Sequence, residues 1–78
     1  MLKIKDNVDW RVLEEIGFHF DPFSSYWWHE CGLEFYVGYE DETLELELAW
    51  DEEGFNIDYC IDIIFDLTRA GLIEKVPA

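Results

Sequence analysis

The sequence predicts a small α+β domain: a helix, a three- or four-stranded antiparallel sheet and a second helix, in the order α-β-β-β(-β)-α, with both helices on one sheet face. Three observations predict it. Apolar residues recur at helical spacing toward both ends of the chain, they alternate at period two through its middle, and Gly or Asx residues stand where each element should start or stop. No internal repeat, linker or break in composition divides the 78 residues, so they make one acidic domain, 1–78. Half the residues are apolar, with four Trp, four Tyr and six Phe. That density supports a core, which a disordered acidic tail lacks.

The first helix is predicted to open at Asp6 or Asn7 as N-cap and to close at Gly17, with Val8, Val12, Leu13 and Ile16 as its apolar stripe and Trp10 off it. A short strand follows at 17–20. Asp21, Pro22, Ser24 and Ser25 then make a turn. Tyr26, Trp27 and Trp28 begin a second strand that Gly32 interrupts, and the adjacent tryptophans should point to opposite sides. Leu33, Phe35, Val37 and Tyr39 alternate with Glu34, Tyr36, Gly38 and Glu40, and after a turn at Glu40, Asp41 and Glu42 the alternation resumes. Leu44, Leu46, Leu48 and Trp50 then share one face and Thr43, Glu45, Glu47 and Ala49 the other. Antiparallel pairing of these two runs gives a hairpin with an apolar side and an acidic side.

Asp51, Glu52, Glu53 and Gly54 read as a linking turn, and Asn56 as the N-cap of a helix from about 57 to 70, ended by Gly71 with Leu72 as its hydrophobic contact. Ile57, Cys60, Ile61, Ile64 and Leu67 are expected to face the core, with Ile63 and Phe65 widening the apolar face. Asp58, Asp62 and Asp66 recur every fourth residue along one edge.

Charge is the strongest functional signal. From residue 12 to residue 68 there is no lysine or arginine, yet this stretch holds 16 of the 19 carboxylates, and the formal net charge is -14. A field of one sign costs self-repulsion, and it is useful where a partner of opposite sign must be attracted. It argues against direct binding of nucleic acid or an anionic membrane. No apolar run reaches the roughly 18 residues of a membrane helix, and MLKIKDNVDW lacks a signal-peptide core, so the expected compartment is the cytoplasm, with Cys31 and Cys60 as reduced thiols.

Catalytic and metal chemistry find little support, and neither a cofactor nor a metal is expected. The segment from Asp51 to Asp58 is acidic like a calcium loop, but Gly54 stands fourth rather than sixth and the closing glutamate is missing. His29 and Cys31 share a strand face, with His19 and Cys60 as further conceivable ligands, but no spacing matches a zinc pair and ordinary burial explains them. Carboxylates this numerous read as a field rather than as one tuned acid and base.

In size, acidity and lack of a catalytic motif, the hairpin YVGYEDETLELELAW and the helix NIDYCIDIIFDLTRAG resemble small phage and mobile-element anti-defence proteins, including anti-CRISPR and anti-restriction DNA mimics. The resemblance is one of type, so no residue roles transfer with it. It implies a non-enzymatic inhibitor that blocks the basic, nucleic-acid-binding surface of a host nuclease or related protein, in the cytoplasm of the bacterial host if phage-encoded. The expected partner-binding residues are Glu34, Tyr36, Glu45 and Glu47 on the hairpin, Glu40, Asp41 and Glu42 at its tip, Asp51, Glu52 and Glu53 in the next turn, and Asp58, Asp62 and Asp66 on the helix. The alternative is a homodimeric structural or adaptor module, paired through the wide apolar face of the second helix, whose acidity serves only solubility.

Overall fold

The computed structural model describes residues 1–37 and 43–76. The α+β expectation holds in outline, with more strands than foreseen. Among the described residues, six strands form one antiparallel sheet: β1 (Leu2–Ile4), β2 (His19–Asp21), β3 (Tyr26–Trp28), β4 (Leu33–Val37), β5 (Leu44–Leu48) and β6 (Ile73–Lys75), in the spatial order β2-β3-β4-β5-β1-β6. The middle of the chain runs as a meander from β2 to β5. β1 then pairs with β5 on one side and with β6 on the other.

β1 and β6 are the corrections to the three or four strands expected. Each has only three residues, LKI and IEK, too few for an alternation to register. They exist because they pair with each other, Leu2 with Lys75, Lys3 with Glu74 and Ile4 with Ile73, and because β1 docks on the long hairpin strand β5. The predicted strand at 17–20 begins two residues later, at His19.

The first helix is also corrected. It is a 3-10 helix over Trp10–Ile16, capped by Asp9, whose carboxylate accepts from the Arg11 amide at 3.0 Å, rather than by Asp6 or Asn7. At three residues per turn Trp10, Leu13 and Ile16 stack along one side, which is why Trp10 packs against the core although an α-helical stripe leaves it out. Gly17 closes the helix in the left-handed conformation, as expected.

The α-helix α1 (Ile57–Arg69) has the predicted start. The Asn56 side chain accepts from the Tyr59 amide at 3.1 Å, while Asp58 in the first turn and Arg69 in the last both suit the helix dipole. Its core stripe is Cys60, Ile63 and Leu67, with Ile64 beside them; Ile57 and Ile61, assigned to the core from sequence, are exposed. Both helices pack on one sheet face, where Leu13, Phe18, Leu33, Phe35, Leu44 and Leu67 are almost wholly enclosed with Ile4 and the two cysteines. Burial of this kind contributes roughly 1.5–3 kcal/mol per large side chain.

The turn at residues 29–32 locks the sheet to the loop before α1. Asn56 donates its amide to the Cys31 carbonyl at 3.0 Å, the Cys60 thiol donates to the same oxygen at 3.0 Å, and Ala49 donates to the Gly32 carbonyl at 2.8 Å. Gly32 has φ +105°, and the Phe55 ring lies where its side chain would be.

Candidate functional site

The sheet face turned away from the helices carries the hairpin candidates Glu34, Tyr36, Glu45 and Glu47, and strand register puts them in two rows. Residues directly opposite on paired strands share a face, so Asp21, Tyr26, Tyr36, Glu45, Lys3 and Glu74 form one row across all six strands. His19, Trp28, Glu34 and Glu47 form the second, across β2 to β5. Of the adjacent tryptophans, Trp27 lies on the core side at 5% exposure and Trp28 on the outer face at 37%. Ring contacts stiffen both rows. Tyr26 and Tyr36 stack nearly parallel at 4.9 Å, and His19 lies on Trp28 at 4.5 Å.

Glu34 sits among several of the carboxylates of this face. Partial burial raises its pKa above 4.5, the hydroxyl of Tyr36 opposes this by donating to Oε1 at 3.2 Å, and the charges of Glu52, Glu47 and Asp51 raise it further. The same surroundings push the Tyr36 phenol up to about 12, through burial first and the charge of Glu34 second. Glu34, Tyr26 and Trp28 also line a cleft of about 230 Å3 whose far wall is the turn carrying Glu52 and Glu53. An aromatic wall facing carboxylates suits a cationic side chain.

The thirteen expected binding residues do not form one surface. Glu34, Tyr36, Glu45 and Glu47 lie on the outer sheet face, and the turn at Asp51, Glu52 and Glu53 adjoins it at the end of β5. Glu40, Asp41 and Glu42 lie outside the described residues. Asp58, Asp62 and Asp66 are exposed on α1. Because α1 turns Cys60, Ile63 and Leu67 toward the sheet, and successive residues rotate by about 100°, the aspartate ridge points away from it. It therefore lies on the opposite side of the helix layer from Glu34, Glu45 and Glu47 on the outer sheet face.

A lysine also interrupts the acidic face. Lys3 sits beside Glu45 in register, its side chain only 11% exposed, and its ammonium reaches Asp6 at 2.9 Å and Glu74 at 3.4 Å. Sequence reading could not place it, since β1 comes from outside the stretch that lacks lysine and arginine. The glutamate field is therefore bounded at β1.

The four conceivable metal ligands are divided between environments. His19 stacks on the outer face, while His29 is buried between Phe18 and Tyr59, with Nδ1 accepting from the Cys31 amide at 3.1 Å. Burial holds the His29 imidazole below its ordinary pKa, against a hydrogen bond to the Ile16 backbone. Cys31 and Cys60 are free, buried thiols, and burial pushes the Cys60 thiol well up, further from a reactive thiolate. Among the described residues no group of three or more His, Cys, Asp or Glu is placed to hold a metal ion, and no helix is long and apolar enough to cross a membrane.

On the helix side, an apolar groove of about 620 Å3 runs along Val8, Trp10, Phe20, Trp27, Val37 and Leu44. Asp9 and Arg11, which line it with Glu14, form an ion pair at 2.8 Å. No protein-family model, curated protein or solved structure matches this sequence.

Proposed function

We propose that the protein is a non-enzymatic inhibitor that lays its outer sheet face on a basic, nucleic-acid-binding surface of a host protein, standing in for the phosphates that surface normally binds. The observation that carries this reading is the direct opposition of Glu34 and Glu47 on adjacent strands, with Glu52 and Asp51 close enough to raise the proton affinity of Glu34 further. Like charges placed opposite each other destabilise a sheet. A cationic partner offsets that cost.

Geometry supports the reading. Same-face residues along a strand lie ~6.8 Å apart and neighbouring strands ~4.8 Å apart, so Glu34, Glu45 and Glu47 make a rigid array of negative charge. Duplex DNA offers one phosphate per ~1.7 Å of axis, and a lysine- and arginine-rich groove built for it accepts such an array. Trp28 and Tyr36, exposed among the carboxylates, supply the aromatic anchors that central contacts favour.

The test is affinity capture from host lysate with mass spectrometry, followed by binding measurements on the captured partner. Glu47→Lys with Glu52→Lys is the variant of choice, because both side chains are exposed and neither faces Lys3. It should weaken binding at least about tenfold, with a steep loss of wild-type affinity in added salt. Binding and inhibition that survive both reversals would rule out this face.

A further inference from the structure

The outward flank of α1 carries a feature that the sheet face does not explain. Ile57, Ile61 and Phe65 are 50%, 43% and 62% exposed and follow one another at four-residue spacing, so they form a continuous apolar stripe along the helix. Asp58, Asp62 and Asp66 each follow one of them by one residue, about 100° further round, and border that stripe on its solvent side. Alignment along one helix flank makes these three side chains a contiguous patch rather than single scattered exposures.

Charge decides what covers it. Antiparallel pairing with a second copy, under a two-fold axis, would bring both aspartate ridges to the same side of the helix pair. Parallel pairing would set like ends of two helix dipoles together, and either dimer joins two chains of formal net charge -14. A complementary partner is a helix whose own apolar stripe is edged by lysine or arginine, as in helix pairs whose flanking charges select the partner. We infer that the Ile57, Ile61 and Phe65 stripe of α1, with its aspartate ridge, is a second docking surface, which takes a basic amphipathic helix. It lies on the layer opposite the sheet glutamates, so it does not depend on the reading of that face.

The test uses the intact chain and a synthetic amphipathic peptide with leucines at helical spacing flanked by lysines. A control peptide has glutamates in place of the lysines. In NMR titrations the lysine peptide should shift the amide signals around Ile57, Ile61 and Phe65, and the glutamate peptide should not. Phe65→Ser and, separately, Asp62→Lys should each weaken the lysine peptide at least about tenfold, whereas Glu47→Lys should leave its affinity unchanged. Both substituted side chains are exposed, and circular dichroism verifies that each variant is folded. Absence of binding, equal binding of the two peptides, shifts on the sheet face instead of α1, or a dimer that Phe65→Ser dissociates would each overturn the inference.

Discussion

Glu34 and Glu47 face each other directly across β4 and β5, two carboxylates in register on the outer sheet face. Next to this pair Tyr36 faces Glu45, and beyond Glu45 stands Lys3, whose ammonium is taken by Asp6 and Glu74. Among the described residues no lysine or arginine pairs in strand register with Glu34 or Glu47, so the pair sets two like charges side by side.

That repulsion should be measurable as lost stability. Glu47→Gln removes one member of the opposed pair and should raise stability by about 0.5 kcal/mol, or roughly 2–4 °C in melting temperature for a domain of this size. The gain should shrink as salt is added, because screening relieves the wild-type pair. Differential scanning calorimetry at low and moderate ionic strength checks both points. A variant no more stable than wild type at low salt would mean that the two carboxylates do not interact.

The hairpin and the α1 boundaries were legible because their signals are local: alternation at period two, Asn56 as a cap, Gly71 just past the helix end. β1 and β6 were not, because three-residue strands draw their stability from partners distant in sequence, and with them the place of Lys3 was hidden. The α1 error has a different cause. Its Ile57, Ile61, Phe65 stripe and its Cys60, Ile63, Leu67 stripe are both apolar at helical spacing, so periodicity fixes the helix without saying which stripe meets the sheet. Of the candidate site, the outer hairpin glutamates could be read from strand parity. Their separation from the helix aspartates depended on which side of α1 is buried.

Two glycines with left-handed backbones should respond differently to the same change. At Gly32, φ is +105° and the Phe55 ring fills the space a methyl group needs, so Gly32→Ala should cost about 2 kcal/mol or more. At Gly54, φ is +92° with open space around it, and Gly54→Ala should cost only the backbone strain, about 1 kcal/mol. Urea denaturation of both variants gives the comparison. Equal costs would show that Phe55 does not hold the 29–32 turn against the loop before α1.

His29 should make the fold sensitive to mild acid. Burial holds its folded pKa below the ordinary 6.5. Between the two values the unfolded chain binds a proton that the native state refuses, so the His29 contribution is complete above pH 6.5 and declines as pH falls below it. An NMR titration should place the imidazole midpoint below 6.5, and His29→Gln should flatten the stability profile in that window. A midpoint at or above 6.5 would contradict the enclosure of His29 between Phe18 and Tyr59.

Glu34 gives the reverse dependence and reports on the proposed docking face. Its folded pKa is raised above 4.5, by burial first and then by Glu52, Glu47 and Asp51, while the Tyr36 hydroxyl holds it down. The native state thus takes up this proton more readily than the unfolded chain. The stability cost is full at neutral pH and disappears as pH falls through the raised value toward 4.5. Removing a raising charge with Glu52→Gln should lower the NMR midpoint of Glu34, and removing the donor with Tyr36→Phe should raise it. A basic partner seated on this face acts in the same direction as Glu52→Gln, because its positive charge favours the ionised carboxylate. Near the Glu34 midpoint binding should therefore release protons, and affinity should fall as the solution is acidified through it. Calorimetry in two buffers of different ionisation enthalpy measures that release. Binding with no proton release at that pH would place the partner elsewhere on the molecule, whatever the mutants do to stability.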